Sequence, residues 1–176
     1  ARVVPSARVR VPGQLISSLA WLAEYGMPLN DIKGLSKALL AGLATALATA
    51  MAILPLFWFD VILMPEPPSQ AFAEKLLGPV PAVVGVLFHI AYVTLVASGF
   101  LVAVHPRPGI WAIAGWSLGL WCIAMVSFFP IIGWGVAGGS VPSSVALGAL
   151  GPHLMFGILL WGSSRLVFRP GSYARA

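Results

Sequence analysis

Charged side chains are scarce in this sequence. Five acids and ten bases make up 9% of 176 residues, where a soluble domain carries about 25%. So few charges cannot cover a globule of this size with a water-compatible surface. A single cysteine, Cys122, excludes an intramolecular disulfide, and no Cys/His spacing fits a structural zinc site. There is no Walker loop, no dinucleotide glycine fingerprint, no His-Glu-x-x-His and no Ser-His-Asp arrangement. These absences argue against a self-contained enzyme and against a disordered tail. They also argue against a nucleic-acid-binding module, although the net charge is +5.

What is present is apolar: 59% of the chain. A spanning helix needs about 20 such residues, because about 30 Å of hydrocarbon is crossed at 1.5 Å per residue. Ala38 to Phe59 holds no charge and ends at Asp60, and Leu76 to Pro106 holds none apart from His89 and His105. Pro108 to Ser164 is also uncharged, too long for one crossing, and broken by a Gly/Pro/Ser-rich loop from Gly133 to Ser144. The expected fold is all-α: a polytopic membrane protein with four transmembrane helices over about 37–60, 80–104, 110–133 and 148–168. Residues 37–168 form the transmembrane domain, 1–36 precede it, and 169–176 are a tail.

The bases set an orientation. Arg2, Arg8, Arg10, Lys33, Lys37, Arg107, Arg165, Arg169 and Arg175 fall on one side, and Lys75 alone on the other, beside Asp60, Glu66 and Glu74. Lys and Arg are retained inside during insertion, so both termini are expected in the cytoplasm of a bacterium, with the chain in its inner membrane. Arg2 to Gly13 reads as an extended basic arm. Gln14 to Tyr25 places Leu15, Ile16, Leu19, Leu22 and Ala23 on one face. That pattern fits an amphipathic helix lying on the headgroups or packed on a neighbouring protein. The stretch lacks the run and cleavage site of a signal peptide, and Ala1 is what initiator-methionine removal would leave. Arg2, Arg8, Arg10, Trp21 and Arg107 are the expected lipid or partner contacts.

The sequence also repeats itself weakly. Spans one and three carry Pro55 and Pro130 near one end. Spans two and four carry His89-Ile-Ala-Tyr and His153-Leu-Met-Phe, each after a Gly-Pro pair. Two tandem copies of a helical hairpin, in one orientation, account for this. Gly42 to Thr45 opening span one, Met64-Pro65 in the first loop, an intramembrane histidine in span two, and Gly151 to Gly157 opening span four carry a resemblance over about residues 35–168. The chain resembles an uncharacterised group of small bacterial four-span inner-membrane proteins, a domain of unknown function. That resemblance implies the architecture and supplies no catalytic residue.

His89 and His153 are the foremost site candidates, because an ionisable group inside a membrane is costly unless partnered. One reading is structural. Each proline frees a carbonyl four residues earlier, at Met51 and Val126, and each imidazole N–H can satisfy the one in its own hairpin. The other readings are ligation of haem b or bacteriochlorophyll, with Gly85, Gly99, Gly157 and Gly162 making room, or ion and proton handling. Gly115-x-x-x-Gly119 in span three, and Ala41, Thr45 and Ala48 in span one, read as helix-packing seams, closing the bundle or docking an outside helix. Trp58, Trp111 and Trp134 read as an interfacial belt, and Cys122 as a small buried hydrophobe. The expectation is a non-catalytic accessory subunit of a larger respiratory or photosynthetic complex. Its partners are other integral subunits and structural lipids, with no cofactor of its own. The alternatives are a haem b or pigment-binding subunit using His89 and His153, and a small channel or transporter.

Overall fold

A computed structural model describes residues 32–62, 64–104, 107–141 and 145–168. Those residues are all-helical, and four helices are long and apolar enough to cross a membrane: α1 (Ile32–Trp58), α3 (Ala82–Ala103), α4 (Ile110–Ile131) and α5 (Val145–Val167). This is a multi-pass architecture. A short helix, α2 (Pro68–Leu77), lies between α1 and α3. The basic arm and the amphipathic stretch, including Arg2, Arg8, Arg10 and Trp21, fall outside the described residues, as does the 169–176 tail. α1 begins at Ile32, ahead of the apolar run, so it carries Lys33 and Lys37 and passes through the expected boundary at 36/37.

α1 is the hub, packing against both α3 and α5, while α4 packs on α5. Its buried stripe explains the closeness: Gly34, Ala38, Ala41, Gly42, Thr45, Ala46 and Thr49 recur at helical spacing and nearly all are small. A Cβ at Gly42 would stand 2.7 Å from the Thr94 carbonyl oxygen of α3. Gly157 does the same for α5, where a Cβ would meet Ile113 Cγ2 at 3.3 Å and crowd Ser117 of α4. Between α3 and α4 the link is aromatic, Phe100 stacking on Trp116 at 5.0 Å.

The expected seam at Gly115 and Gly119 takes no part in this packing, since neither Cβ would meet any described residue within 4 Å. The spacing put both glycines on one face, and that face turns away from the bundle. Cys122 is exposed on α4 as well, not buried. Of the three expected belt tryptophans, Trp58 and Trp111 are exposed, but Trp134 is buried against Phe129, with ring centroids 5.1 Å apart.

α1 and α4 end alike. Asp60 takes a left-handed φ of 54°. The Val61 N–H then reaches the Leu56 carbonyl at 2.9 Å, and the Asp60 N–H reaches that of Phe57 at 3.2 Å. At the end of α4, Gly133 has φ 89°, Trp134 N–H bonds Phe129 O at 2.9 Å, and Gly133 N–H bonds Pro130 O at 3.1 Å. Both are Schellman caps, with the apolar contact between the flanking positions supplied in α4 by Trp134 on Phe129. Aspartate is among the few non-glycine residues that visit this conformation. Just before Pro130, residues Ala124–Phe128 form a π-turn, with the Phe129 N–H bonded to the Ala124 carbonyl. Such widened turns absorb local breaks in the hydrogen-bond ladder.

The proline-rich segment after Met64 reads as a stiff loop, yet it leads directly into α2. Pro67 and Pro68 occupy the start of that helix, where a missing N–H is harmless. Gly78 ends it at a φ of 79°, donating its N–H to the Glu74 carbonyl. α2 packs across the end of α3. A Cβ at Gly85 would lie 2.8 Å from the Gln70 Cα, so only glycine admits α2 at this distance.

Candidate functional site

The roof made by α2 covers a cavity of about 760 Å³. Its walls come from every spanning helix: Thr49, Ile53 and Phe57 of α1, His89 and Tyr92 of α3, Phe128 of α4, and Pro152, His153 and Phe156 of α5. Gln70 and Phe72 of α2 close the top, and Asp60 and Glu66 stand at the rim. Aromatic rings line much of it. Phe72 meets Phe88 at 5.8 Å and Phe128 at 5.2 Å. Gln70 anchors the roof by donating to Glu74 Oε1 at 2.7 Å and to the Val80 carbonyl at 2.9 Å.

Both histidines line this one cavity, but neither meets the carbonyl expected for it. His89 Nε2 lies 3.0 Å from Thr49 Oγ1. Thr49 faces α3, whereas Met51, two residues on, lies about 200° round the helix and is exposed. His153 turns back on its own helix, Nδ1 lying 2.7 Å from the Ala149 carbonyl oxygen. Val126 sits in the π-turn and its side chain is exposed, away from α5.

These partners determine the tautomers. A carbonyl only accepts, so His153 Nδ1 carries a proton, and in the neutral imidazole that an apolar surrounding favours Nε2 presents a lone pair. Thr49 Oγ1 has one proton, and two backbone carbonyls compete for it, Thr45 at 2.9 Å and Ala46 at 2.9 Å. Its oxygen therefore accepts from His89 Nε2–H, leaving the His89 Nδ1 lone pair. The Ala46 carbonyl also accepts from the His89 ring, and no described residue bonds His153 Nε2. The site thus offers two neutral acceptors in an apolar, aromatic chamber.

The glycines expected to clear space for a macrocycle do not do so. Gly85 is filled by Gln70 and Gly157 by Ser117, while Gly99 and Gly162 do not line the cavity. Among the described residues, no three His, Cys, Asp or Glu side chains gather to hold a metal ion. Glu66 has its carboxyl pushed above the ordinary range by burial and by the nearby Glu74 charge. At the opposite end of the bundle, Arg165 donates to the Pro108 carbonyl at 3.4 Å and lies 5.5 Å from the Trp161 ring centroid. Arg107 lies at the same end and also has a partner.

The Thr49 partnership and the α2 roof are the features that sequence reasoning missed. A signal for the roof existed: Ala71, Ala73 and Gln70 recur on one side of Pro68–Leu77 and are buried. No family model matches this chain, nor does any curated protein or solved structure.

Proposed function

We propose that this chain is a non-catalytic integral subunit of a larger energy-converting complex, respiratory or photosynthetic, in a bacterial inner membrane with both termini cytoplasmic. The observation that carries this reading is the outward face of α4. Gly115 and Gly119 leave a notch there that none of the described residues fills, and Trp111 beside it is 86% exposed. Small residues let a foreign helix approach closely, and in lipid that approach is a main source of association. The spans offer little machinery for chemistry of their own. The two proline-marked hairpins are taken as copies of one unit, and the resemblance to small four-span inner-membrane proteins is in keeping with this. Other integral subunits and lipids are the partners, and nucleic acid is not. Purification in mild detergent tests it. Partner subunits should co-purify with the wild type and be lost from Gly115→Leu/Gly119→Leu, while a monodisperse monomer from native membranes would refute it.

A second reading has its own support. His89 and His153 share one cavity and each keeps a nitrogen lone pair, which suits a subunit holding haem b or bacteriochlorophyll. An absorption spectrum of the purified chain tests this directly, since a Soret or near-infrared band lost in His89→Ala and His153→Ala is required.

A further inference from the structure

We propose that the α2-roofed cavity binds the reduced, hydroquinone head of a lipid-soluble aromatic molecule, its hydroxyls donating to His153 Nε2 and His89 Nδ1. The inference rests on reading the cavity as a ligand site, and it assigns the occupant's chemistry without a macrocycle. Four features of the site select that chemistry. First, the nitrogens left by Thr49 and Ala149 are acceptors, so the ligand must bring donors. A quinone carbonyl would instead set lone pair against lone pair. Second, His153 cannot switch tautomer without setting the Nδ1 lone pair against the Ala149 carbonyl oxygen 2.7 Å away, a repulsive contact. The preference for a donor is therefore built in. Third, the walls are apolar and aromatic, with Phe72, Phe128 and Phe156 among them. Such rings favour a planar ring between them over an aliphatic chain or a hydrated ion. Fourth, 760 Å³ falls within the range of roughly 300–1,000 Å³ typical of single-ligand pockets, and the space beside the histidines is not widened by glycine.

The test uses the purified full chain in nanodiscs of quinone-free lipid, titrated calorimetrically with three probes. These are a decyl-substituted ubiquinol held reduced under argon, the matching ubiquinone, and the ubiquinol dimethyl ether, which keeps the shape but has no O–H donor. Saturable binding of the ubiquinol is expected, with at least about tenfold weaker binding of the other two, a difference of about 1.4 kcal/mol. His153→Phe should lower ubiquinol affinity to the level of the ether. If that variant fails to fold, the ether comparison on the wild type still decides. Equal affinity for all three probes, or no binding of the ubiquinol, overturns the proposal. A tightly held haem or bacteriochlorophyll seen in the absorption spectrum also overturns it, while upholding the macrocycle reading. A colourless chain that binds none of the probes removes both.

Discussion

Thr49 Oγ1 and His89 Nε2 lie 3.0 Å apart across the contact between α1 and α3, and this pairing fixes which nitrogen of His89 remains available. Thr49→Val keeps the shape and removes the hydroxyl acceptor, so His89 keeps only the Ala46 carbonyl on α1. A loss of about 1 kcal/mol is expected, in line with hydrogen bonds between spanning helices. Thr49→Ser should restore most of it. Reversible unfolding in mixed micelles is the measurement, and equal stability of the Val and wild-type proteins would contradict the assignment.

The helix contacts give a second contrast. Gly42→Val forces side-chain atoms against the Thr94 carbonyl and Ser98, and overpacking of this kind costs about 1–3 kcal/mol. Gly115→Ala meets nothing within 4 Å and should change the isolated chain by less than about 0.5 kcal/mol. A thermal-shift series in one detergent ranks the two. The reverse order would mean that α1 and α3 do not approach as described.

Gly133→Val places a β-branched residue at φ 89°, a conformation that costs an L-residue about 1–2 kcal/mol. Trp134→Ala leaves the backbone cap possible but empties the space against Phe129, and should cost about 3–5 kcal/mol as a large aromatic truncation. Hydrogen exchange should then rise at the end of α4 in both variants. Protection unchanged in both would argue against the cap.

The acid at the cavity rim carries a pH dependence. Folding raises the Glu66 carboxyl above its ordinary 4.5, so the folded state holds this proton to higher pH than the unfolded state does. Between the two values the folded chain binds more protons, and stability falls as pH rises through that window. The contribution is complete below 4.5 and gone above the folded-state value. Glu66→Gln should flatten this part of the profile, as read from melting midpoints across acidic pH. A wild-type curve that climbs through the window with the same slope as the variant would show that Glu66 is not the cause.

The four crossings were legible because an uncharged run has one economical fate in lipid, and Asp60 marked the end of α1 as expected. Rotation about each helix axis was not legible. Spacing places Gly115 and Gly119 on a common face without saying which way it looks, so the repeated motif drew attention while the isolated Gly42, Gly85 and Gly157 make the close contacts. The same ignorance of rotation hid the histidine partners: Met51 and Thr49 are two residues apart in sequence and on nearly opposite sides of α1. His89 and His153 were visible as unusual residues. That one chamber holds both of them depends on α1 packing against both α3 and α5, an arrangement no one-dimensional pattern contains. α2 was obscured by its prolines, which are breakers inside a helix and tolerated at its first turn.

The central position of α1 bears on how the bundle is assembled during synthesis. Of the four crossings it leaves the ribosome before the others, and both α3 and α5 dock against it. The second and the last crossing therefore find their docking surface already in the bilayer, whereas α4 packs on a helix released after it. A lesion along the Gly34-to-Thr49 stripe would be felt twice, at the second crossing and again at the last, whereas one on the outward side of α4 would leave biogenesis of the monomer untouched.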